Sequence, residues 1–245
     1  ISTKMYIIGH NPCMSCITHN PNKINNIYVF NEKKDGYSQL IQSKDLKKKL
    51  HYINKNDFSS INKNFNYHDH IIIEREPFQS AGLEDIIKKS KEKSTILVLD
   101  QLTDQMNIGN IFRTAALTNV DGLILPEHSS ASITSSTATI STGAVEVVKF
   151  HIAKNIARTI EVLKKNYYWI YSLDMNGKDI INKDFKFDKK SVIILGSEGK
   201  GIRKNILEHS DFIISLKQKN IPQIDSLNAA NSAAIALYHI YIDQD

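Results

Sequence analysis

The chain has 245 residues, of which 41% are hydrophobic and 23% are charged, and its formal net charge is +5. This length suits one large globular domain or two smaller ones, and the composition is ordinary for a globular protein. No apolar run reaches the roughly 20 residues of a membrane-spanning helix, and no charged-then-apolar leader begins the chain. We therefore expect no membrane association, while the positive charge mildly favours a polyanionic partner.

The only two cysteines, Cys13 and Cys16, indicate a reducing, cytoplasmic compartment rather than a disulfide framework. Together with His10 and His19 they place a potential metal ligand at every third residue, which is one way to build a zinc site. In a helix, however, a three-residue step drifts around the axis, so four such groups do not converge. We predict an ordinary helix without a metal here.

The N-terminal part of the chain, about 75 residues, alternates strand and helix patterns and predicts a small α/β unit. Strands are expected at residues 5–8, 27–30 and 70–73, with one short helix between the first two and another at 57–65. Its lysines could form a phosphate-facing surface or simply a solvated helix face, and both interpretations stay open. These lysines are Lys44, Lys47, Lys48, Lys49, Lys55 and Lys63.

A domain connection is expected between residues 74 and 94, which contain a proline, a glycine and a charged, lysine-rich tract. The predicted organisation is a first domain at residues 1–78, a linker at 79–94 and a second domain at 95–245.

The second domain begins with a strand–loop–helix–strand pattern. Residues 96–99 suit a buried strand and 122–125 predict the next one, while apolar residues recur between them at helical spacing. Asn110 and Arg113 lie three apart on another flank of that helix, so they can act together. With Asn107 they follow the carboxyl end of the first strand, where open α/β sheets place ligand sites.

The next stretch, residues 129–142, is rich in serine and threonine, yet isoleucines and alanines are interspersed. We therefore predict packed structure rather than a flexible linker. A helix at residues 156–163 and a strand at 168–173 follow, and residues 176–190 are expected to form an exposed polar loop.

A strand predicted at residues 192–195 leads into Gly196-Ser197-Glu198-Gly199-Lys200-Gly201, followed by a helix at 202–209. Backbone N–H groups of such a turn can bind a polar or anionic ligand. The spacing matches neither the dinucleotide-binding fingerprint nor the P-loop, so a tight connection without a ligand is an equal alternative. Glu198 favours a site, because a carboxylate among glycines can point into a cleft.

The last predicted elements are a strand at residues 212–216 and a helix at 227–242, separated by a polar loop. Ser226-Leu227-Asn228 opens the helix, and Ser226 suits its N-cap. The many alanines of this helix favour close packing against another helix or a second subunit, the alternative being an ordinary terminal helix.

Three of these segments together resemble the signature motifs of SpoU-type ribose methyltransferases of the SPOUT superfamily. They are N-I-G-N-I-F-R-T-A at residues 107–115, G-S-E-G-K-G at 196–201 and S-L-N at 226–228. Their order, spacing and strand–helix context match over residues 94–245. The N-terminal part is similar, more loosely, to the ribosomal-protein-like substrate-binding domain of enzymes that modify guanosine in large-subunit rRNA (RlmB type).

The resemblance implies an α/β fold whose C-terminal part forms a deep trefoil knot, preceded by the small α/β substrate-binding domain. It also implies a homodimer that binds RNA without a metal and modifies a guanosine of large-subunit rRNA. The implied cofactor is S-adenosylmethionine (AdoMet), held by Gly196, Leu216, Ser226 and Leu227.

The implied catalytic group is Arg113, Asn107, Glu198 and Asn228, which would promote in-line attack of a ribose 2′-hydroxyl on the sulfonium methyl. Arg113 could act as a general base or as a clamp on the adjacent phosphate that also polarises the hydroxyl. We favour the clamp, because a guanidinium holds its proton strongly. Asn107 and Glu198 would orient Arg113 and the ribose, and Asn228 would hold the reacting nucleotide.

The chain departs from the family at Leu216-Lys217-Gln218, where Ile-Pro-Met is common, and this departure bears on cofactor affinity. Within the same chemistry, the alternative substrate is tRNA. From a different class, the alternative is an RNA-binding protein that does not catalyse. The presence of all four polar residues of the implied catalytic group argues against it.

Overall fold

The computed structural model describes residues 4–61, 70–88, 92–128, 130–181, 185–219, 222 and 226–244. The chain divides into two compact units. Unit 1 consists of Ile1–Gln79 and Ile133–Val147, and unit 2 consists of Ser80–Ser132 and Val148–Asp245. The second piece of unit 1 comes from inside the stretch predicted as the second domain, so compact units and contiguous sequence do not coincide.

Each predicted strand has a counterpart, and two further strands, β3 and β7, were not predicted from the sequence. The described strands are β1 (Met5–Ile8), β2 (Ile24–Phe30), β3 (Leu50–Ile53), β4 (Ile71–Arg75), β5 (Ser94–Asp100), β6 (Gly122–Pro126), β7 (Lys149–Ala153), β8 (Trp169–Asp179), β9 (Lys190–Gly196) and β10 (Phe212–Ser215). The described helices are α1 (His10–His19), α2 (Lys34–Leu40), α3 (Lys44–Lys47), α4 (Lys55–Ile61), α5 (Leu83–Lys88), α6 (Gln105–Leu117), α7 (Ser135–Ile140), α8 (Ile156–Lys165), α9 (Lys204–Leu207) and α10 (Ala229–Gln244).

The sheet of unit 1 has the strand order β1-β4-β2-β3. Strand β4 pairs antiparallel with β1 and β2, and β2 pairs parallel with β3. The isoleucines at residues 71–73 of β4 are completely buried, as expected of a central strand that is covered on both faces.

The histidine and cysteine run forms the helix α1 that the sequence predicts. Cys13 and Cys16 are both buried, and Cys13 Sγ lies 3.4 Å from the carbonyl oxygen of Ile7. His10 Nδ1 lies 3.0 Å from the hydroxyl of Tyr37. In the described part of the chain, no group of three His, Cys, Asp or Glu side chains is placed to hold a metal ion.

The lysines of unit 1 are mostly exposed, which both interpretations of them allow. The exposed ones are Lys44, Lys47, Lys48 and Lys55. Lys49 is half-buried and donates a hydrogen bond of 2.5 Å to the carbonyl oxygen of Ile24. Lys63 and residues 62–65 of the predicted helix lie outside the described residues.

A buried ion pair joins the two pieces of unit 1. The guanidinium of Arg75 contacts the carboxylate of Glu146, and both side chains are almost completely buried. Asn20 Nδ2 donates to the same carboxylate at 2.8 Å and to the backbone oxygen of Glu146 at 2.9 Å. The Arg75 guanidinium also lies 4.1 Å from the centre of the Phe78 ring. These contacts anchor residues 133–147 in unit 1, and α7 confirms the packed structure predicted there.

The sheet of unit 2 is parallel throughout its described strands, with the order β10-β8-β9-β5-β6-β7. The chain builds outwards from β5 through β6 to β7, and then returns to the other side of β5 with β8, β9 and β10. The order therefore reverses between β5 and β9. A cleft at the carboxyl ends of two such strands is where open α/β sheets bind ligands.

Two elements predicted for unit 2 were wrong in part. Residues 176–190 were expected to form an exposed loop, but β8 continues through Asp179, β9 starts at Lys190, and the centres of the Phe187 and Tyr171 rings lie 4.9 Å apart. Residues 182–184 of this stretch lie outside the described residues. The helix predicted at 202–209 is only the single turn α9, because Arg203 is extended and the preceding Gly201 is left-handed. None of the described helices is long and apolar enough to cross a membrane.

Candidate active site

An open cleft of about 670 Å³ lies along α6 and α10, which pack against each other in unit 2. Helix α6 starts directly after the polar turn that follows β5, and Asp104 caps it by accepting a hydrogen bond of 2.9 Å from the Met106 N–H. The cap places Asn107 in the first turn, where its side chain is buried. Asn107, Arg113 and Asn228 all line the cleft.

The carboxylate of Glu198 joins all three sequence motifs. Its Oε1 accepts hydrogen bonds from Asn107 Nδ2 at 3.1 Å, from Asn228 Nδ2 at 2.8 Å and from the N–H of Ala229 at 3.2 Å. Oε2 has no hydrogen-bond partner among the described residues. Because Glu198 is exposed, this second oxygen is available to a ligand.

The loop that holds Glu198 folds back over its own start. The N–H of Gly201 donates to the carbonyl oxygen of Ser197 at 2.9 Å, and Gly201 has a φ of 66°. A Cβ on Gly196 would lie 2.1 Å from the backbone of Gly201, so only glycine fits at the end of β9. The glycines therefore give the loop a shape that turns Glu198 towards α6 and α10.

Arg113 is exposed in the cleft, one turn along α6 from Asn110 and off the buried face of its helix. The structure gives its guanidinium no hydrogen-bond or ion-pair partner among the described residues. All of its donors are thus available to a ligand. No hydrogen bond among the described residues joins Arg113 to Asn107 or Glu198. The described contacts therefore do not include the predicted orientation of Arg113 by these two residues.

The predicted N-cap at Ser226 was wrong, because the helix begins at Ala229 and Asn228 caps it. Asn228 Oδ1 accepts a hydrogen bond of 2.9 Å from the Ala230 N–H, while its amide nitrogen binds Glu198. One side chain therefore both starts α10 and holds the glycine-rich loop. Ser226 itself is exposed.

The residues predicted to contact the cofactor flank two loops. Gly196 ends β9, and the buried Leu216 directly follows β10. Leu227 is 37% exposed, and its N–H donates to Gln218 Oε1 at 3.1 Å. Gln218, at the position where the chain departs from the family, thus ties the start of its loop to the third motif.

Sequence reasoning missed Asn231, which lines the cleft from α10 beside Asn228. Its amide is exposed and has no partner among the described residues. A polar residue within an alanine-rich helix, one turn after a motif residue, was the signal that could have found it.

An apolar surface continues from the cleft along the same two helices, meeting it at Thr114 and Ala234. Leu117 is 73% exposed and Tyr238 is 59% exposed, and Ile235 and Ile242 lie beside them. The cleft is therefore polar at one end and apolar at the other.

The fold is that of SpoU methyltransferases. The crystal structure of the SpoU methyltransferase AviRb from Streptomyces viridochromogenes matches with a TM-score of 0.81 and 18% identity, over 98% of this chain and 90% of that one. An AdoMet-bound rRNA methyltransferase from Sinorhizobium meliloti matches with a TM-score of 0.76 and 19% identity, over 97% of this chain and 86% of that one. AviRb has also been solved with AdoMet.

The chain belongs to the SpoU rRNA Methylase family, whose model matches residues 94–238. A relative from Staphylococcus aureus (strain MSSA476), assigned by name to the TrmH family of tRNA/rRNA methyltransferases, is 35% identical over 168 residues. One from Staphylococcus haemolyticus is 34% identical over 169 residues. Each match covers 67% of this chain and 66% of the relative, so the chain spans just under two thirds of the curated relatives it matches.

Proposed function

We propose that this protein is an AdoMet-dependent methyltransferase that transfers a methyl group to a ribose 2′-hydroxyl of RNA. The observation that supports this most is the meeting of the three motifs at Glu198, beside a cleft that contains Arg113, whose guanidinium has no partner in the described part of the chain. Membership of the SpoU family supports the reaction class.

The residues of the glycine-rich loop suit a polar cofactor. Ser197 Oγ is buried and has no hydrogen-bond partner among the described residues, and a polar group of a bound molecule would satisfy it. Gly196, Leu216, Ser226 and Leu227 would hold AdoMet, in a C-terminal part that we propose is knotted. When bound, AdoMet supplies an electrophilic methyl group on a sulfonium.

In the reaction, the ribose oxygen forms a bond to the methyl carbon while the carbon–sulfur bond breaks and its electron pair stays on sulfur. Arg113 would bind the phosphate next to the ribose through two parallel hydrogen bonds and polarise the 2′-hydroxyl. Asn228 and the free oxygen of Glu198 would hold the ribose in line. Much of the rate enhancement would come from this positioning.

The proton of the hydroxyl would leave to Glu198 or to solvent. Glu198 is the only one of the four proposed catalytic side chains that is a carboxylate, and none of the described residues binds its Oε2. This role is therefore open to it, whereas a guanidinium is a poor base.

We propose large-subunit rRNA, with guanosine as the modified nucleoside, as the substrate. Unit 1 would bind it through its exposed lysines, and the proposed compartment is the cytoplasm. The names of the relatives cover both tRNA and rRNA, so tRNA is the second candidate. The amides of Asn110 and Asn231 offer both donors and acceptors to a base or ribose of either.

We further propose a homodimer whose subunits meet at the apolar surface of α6 and α10. Side chains such as Leu117 and Tyr238 expose apolar area in one continuous patch, which is typical of an interface. This patch adjoins the cleft, so the site would lie near the partner subunit.

Two measurements test the proposal. Calorimetry should show binding of AdoMet, and a folded protein that binds none would contradict the enzyme hypothesis in favour of a non-catalytic RNA-binding protein. Mapping of 2′-O-methyl groups in total RNA, with and without the protein, should show one rRNA position that depends on it. A site lost from tRNA instead would replace the proposed substrate.

A further inference from the structure

We propose that Asp100 and Arg203 form a positioning pair that holds the glycine-rich loop, residues 196–201, in the shape that binds the cofactor. The inference rests on the proposed function, because it concerns the cofactor side of the same site. Neither residue lies within the three sequence motifs, and neither lines the cleft.

Asp100 stands where the strand order of unit 2 reverses. It is the last residue of β5, it is completely buried, and its pairing partner in the sheet is Gly196, the last residue of β9. A buried carboxylate is costly unless it is paired and hydrogen-bonded. This carboxylate and its partner therefore lie at the point of an open α/β sheet where ligand sites form, although neither lines the cleft.

Arg203 satisfies both oxygens of that carboxylate. Its backbone N–H donates to Oδ2 at 2.9 Å, Nε donates to Oδ1 at 2.9 Å, and Nη2 donates to Oδ1 at 2.6 Å. A guanidinium fork with a backbone donor fixes direction as well as distance. Arg203 consequently holds the exit of the loop at one orientation.

The loop between Gly196 and Arg203 is thus anchored at both ends on neighbouring strands. Its entry is the end of β9, and its exit is tied to the end of β5 through Asp100. Glu198 lies between these anchors, and its three hydrogen bonds to α6 and α10 depend on the position of the loop. A shift of the exit would move Glu198 and the buried hydroxyl of Ser197 together.

A contribution to stability does not by itself require the geometry of this pair, in which Asp100 is buried and the Arg203 side chain is 38% exposed. Removing charges from water offsets most of the attraction between them, and apolar side chains often replace buried ion pairs without loss. What apolar side chains cannot supply is the directional fork. The geometry therefore points to positioning as the role of the pair.

The test is Arg203→Gln, compared with Lys164→Gln. Lys164 and Asp211 form a matched pair in unit 2, because their charged atoms lie 2.6 Å apart and Asp211 also accepts a backbone N–H, from Ile170. Calorimetry with AdoMet gives the dissociation constant of each folded variant, and hydrogen exchange reports the amide of Gly201. If Arg203→Gln melts below the assay temperature, Asp100→Asn takes its place.

Arg203→Gln should raise the dissociation constant for AdoMet by about 10-fold to 100-fold, the size expected when a hydrogen bond to a charged group is lost. It should also speed exchange at Gly201, and Arg203→Lys, which keeps the charge but loses the fork, should restore affinity only in part. Lys164→Gln should change neither quantity.

Three outcomes would overturn the proposal: an unchanged dissociation constant, an equal change in Lys164→Gln, or full rescue by Arg203→Lys. The two proposals fail in distinguishable ways. A wild-type protein that binds no AdoMet contradicts the proposed function. Exchange at Gly201 still tests the pair in that case, and an unchanged rate in Arg203→Gln would refute it.

Discussion

Two glutamates, Glu198 in unit 2 and Glu146 in unit 1, show how differently one side chain is used in this molecule. Glu198 is exposed, and in the described part of the chain neutral donors bind only one of its oxygens. Glu146 is 8% exposed, and the Arg75 guanidinium and the Asn20 amide bind its two oxygens. The first carboxylate has an oxygen to offer to a ligand, and the second has none.

The difference separates a carboxylate that can still bind a ligand from one that is fully used within the structure. A carboxylate that is sealed against a buried cation cannot exchange its partner without a large cost in free energy. A carboxylate that is oriented by amides at the edge of a cleft can bind a further group. We therefore expect changes at Glu198 and its neighbours to affect methyl transfer, and changes at Glu146 to affect folding.

The largest expected effect is that of a substitution in the cleft of unit 2. Arg113→Ala should lower methyl transfer by about 10²-fold to 10³-fold, the typical loss when one preorganised donor is removed from an active site. The free energy of unfolding of this variant should change by less than about 0.5 kcal/mol, because Arg113 is exposed and has no partner within the ranges that the structure describes. Incorporation of labelled methyl groups into RNA measures methyl transfer, and urea titration measures the free energy of unfolding.

The control for this prediction is Arg158→Ala, another exposed arginine on a helix of unit 2. It should leave transfer unchanged. Near-normal incorporation by Arg113→Ala would remove Arg113 from the mechanism.

The same substitution at the two glutamates should have opposite consequences. Glu146→Gln leaves the buried Arg75 without its counter-charge and should lower the free energy of unfolding by about 3–5 kcal/mol. Glu198→Gln keeps an oxygen acceptor for the hydrogen-bond donors around it, so the free energy of unfolding should change by less than about 1 kcal/mol. Methyl transfer by the folded Glu198→Gln protein should nevertheless fall.

Denaturant unfolding and single-turnover transfer would be compared for both variants. A control is Lys23→Gln at the exposed pair with Glu76, where a loss under about 1 kcal/mol is expected. The distinction between the two glutamates would be lost if Glu198→Gln unfolded as readily as Glu146→Gln.

A third carboxylate, Glu74 of unit 1, should make stability depend on pH. Burial raises its pKa, but hydrogen bonds from Asn26, Lys4 and Tyr28 outweigh burial, so the pKa is lowered. A lowered pKa contributes stability above the unfolded-state value of about 4.3, and that stability is lost as the pH falls through the folded-state pKa. Glu74→Gln should therefore flatten this acid limb.

Unfolding free energies of wild type and Glu74→Gln, measured across the acid range, would show the difference. Parallel curves for the two proteins would contradict the assignment. Glu32→Gln, at an exposed carboxylate of unit 1, serves as the control for a general loss of negative charge.

The smallest expected effect concerns Cys16, which lies beside the Glu146 pair. Burial, and then the charge of Glu146, raise the pKa of its thiol to about 12. The thiolate is the reactive form, so alkylation by iodoacetamide at neutral pH should be very slow in the folded protein and fast after unfolding. Mass spectrometry follows the modification, and rapid labelling of the native protein would contradict the sealed environment.

Local sequence patterns were sufficient to predict most of the strands and helices. β5, α6 and β6 formed as the apolar periodicity of residues 96–125 predicts, because burial of one face is decided by spacing along the chain. The misjudged elements are those where a tertiary partner overrides local composition. The polar end of β8 is a strand because β10 pairs with it.

The site was predicted because three sequence motifs resemble those of a known family. The sequence by itself therefore determined which residues belong to the candidate site. The tertiary structure decided how they are used: Asn228 rather than Ser226 caps α10, and Asn107 and Asn228 meet on one oxygen of Glu198. Partners that lie far apart in sequence are brought together only when strands and helices close around a core. Spacing along the chain sets the period of each element, but the directions of these hydrogen bonds depend on how the elements pack.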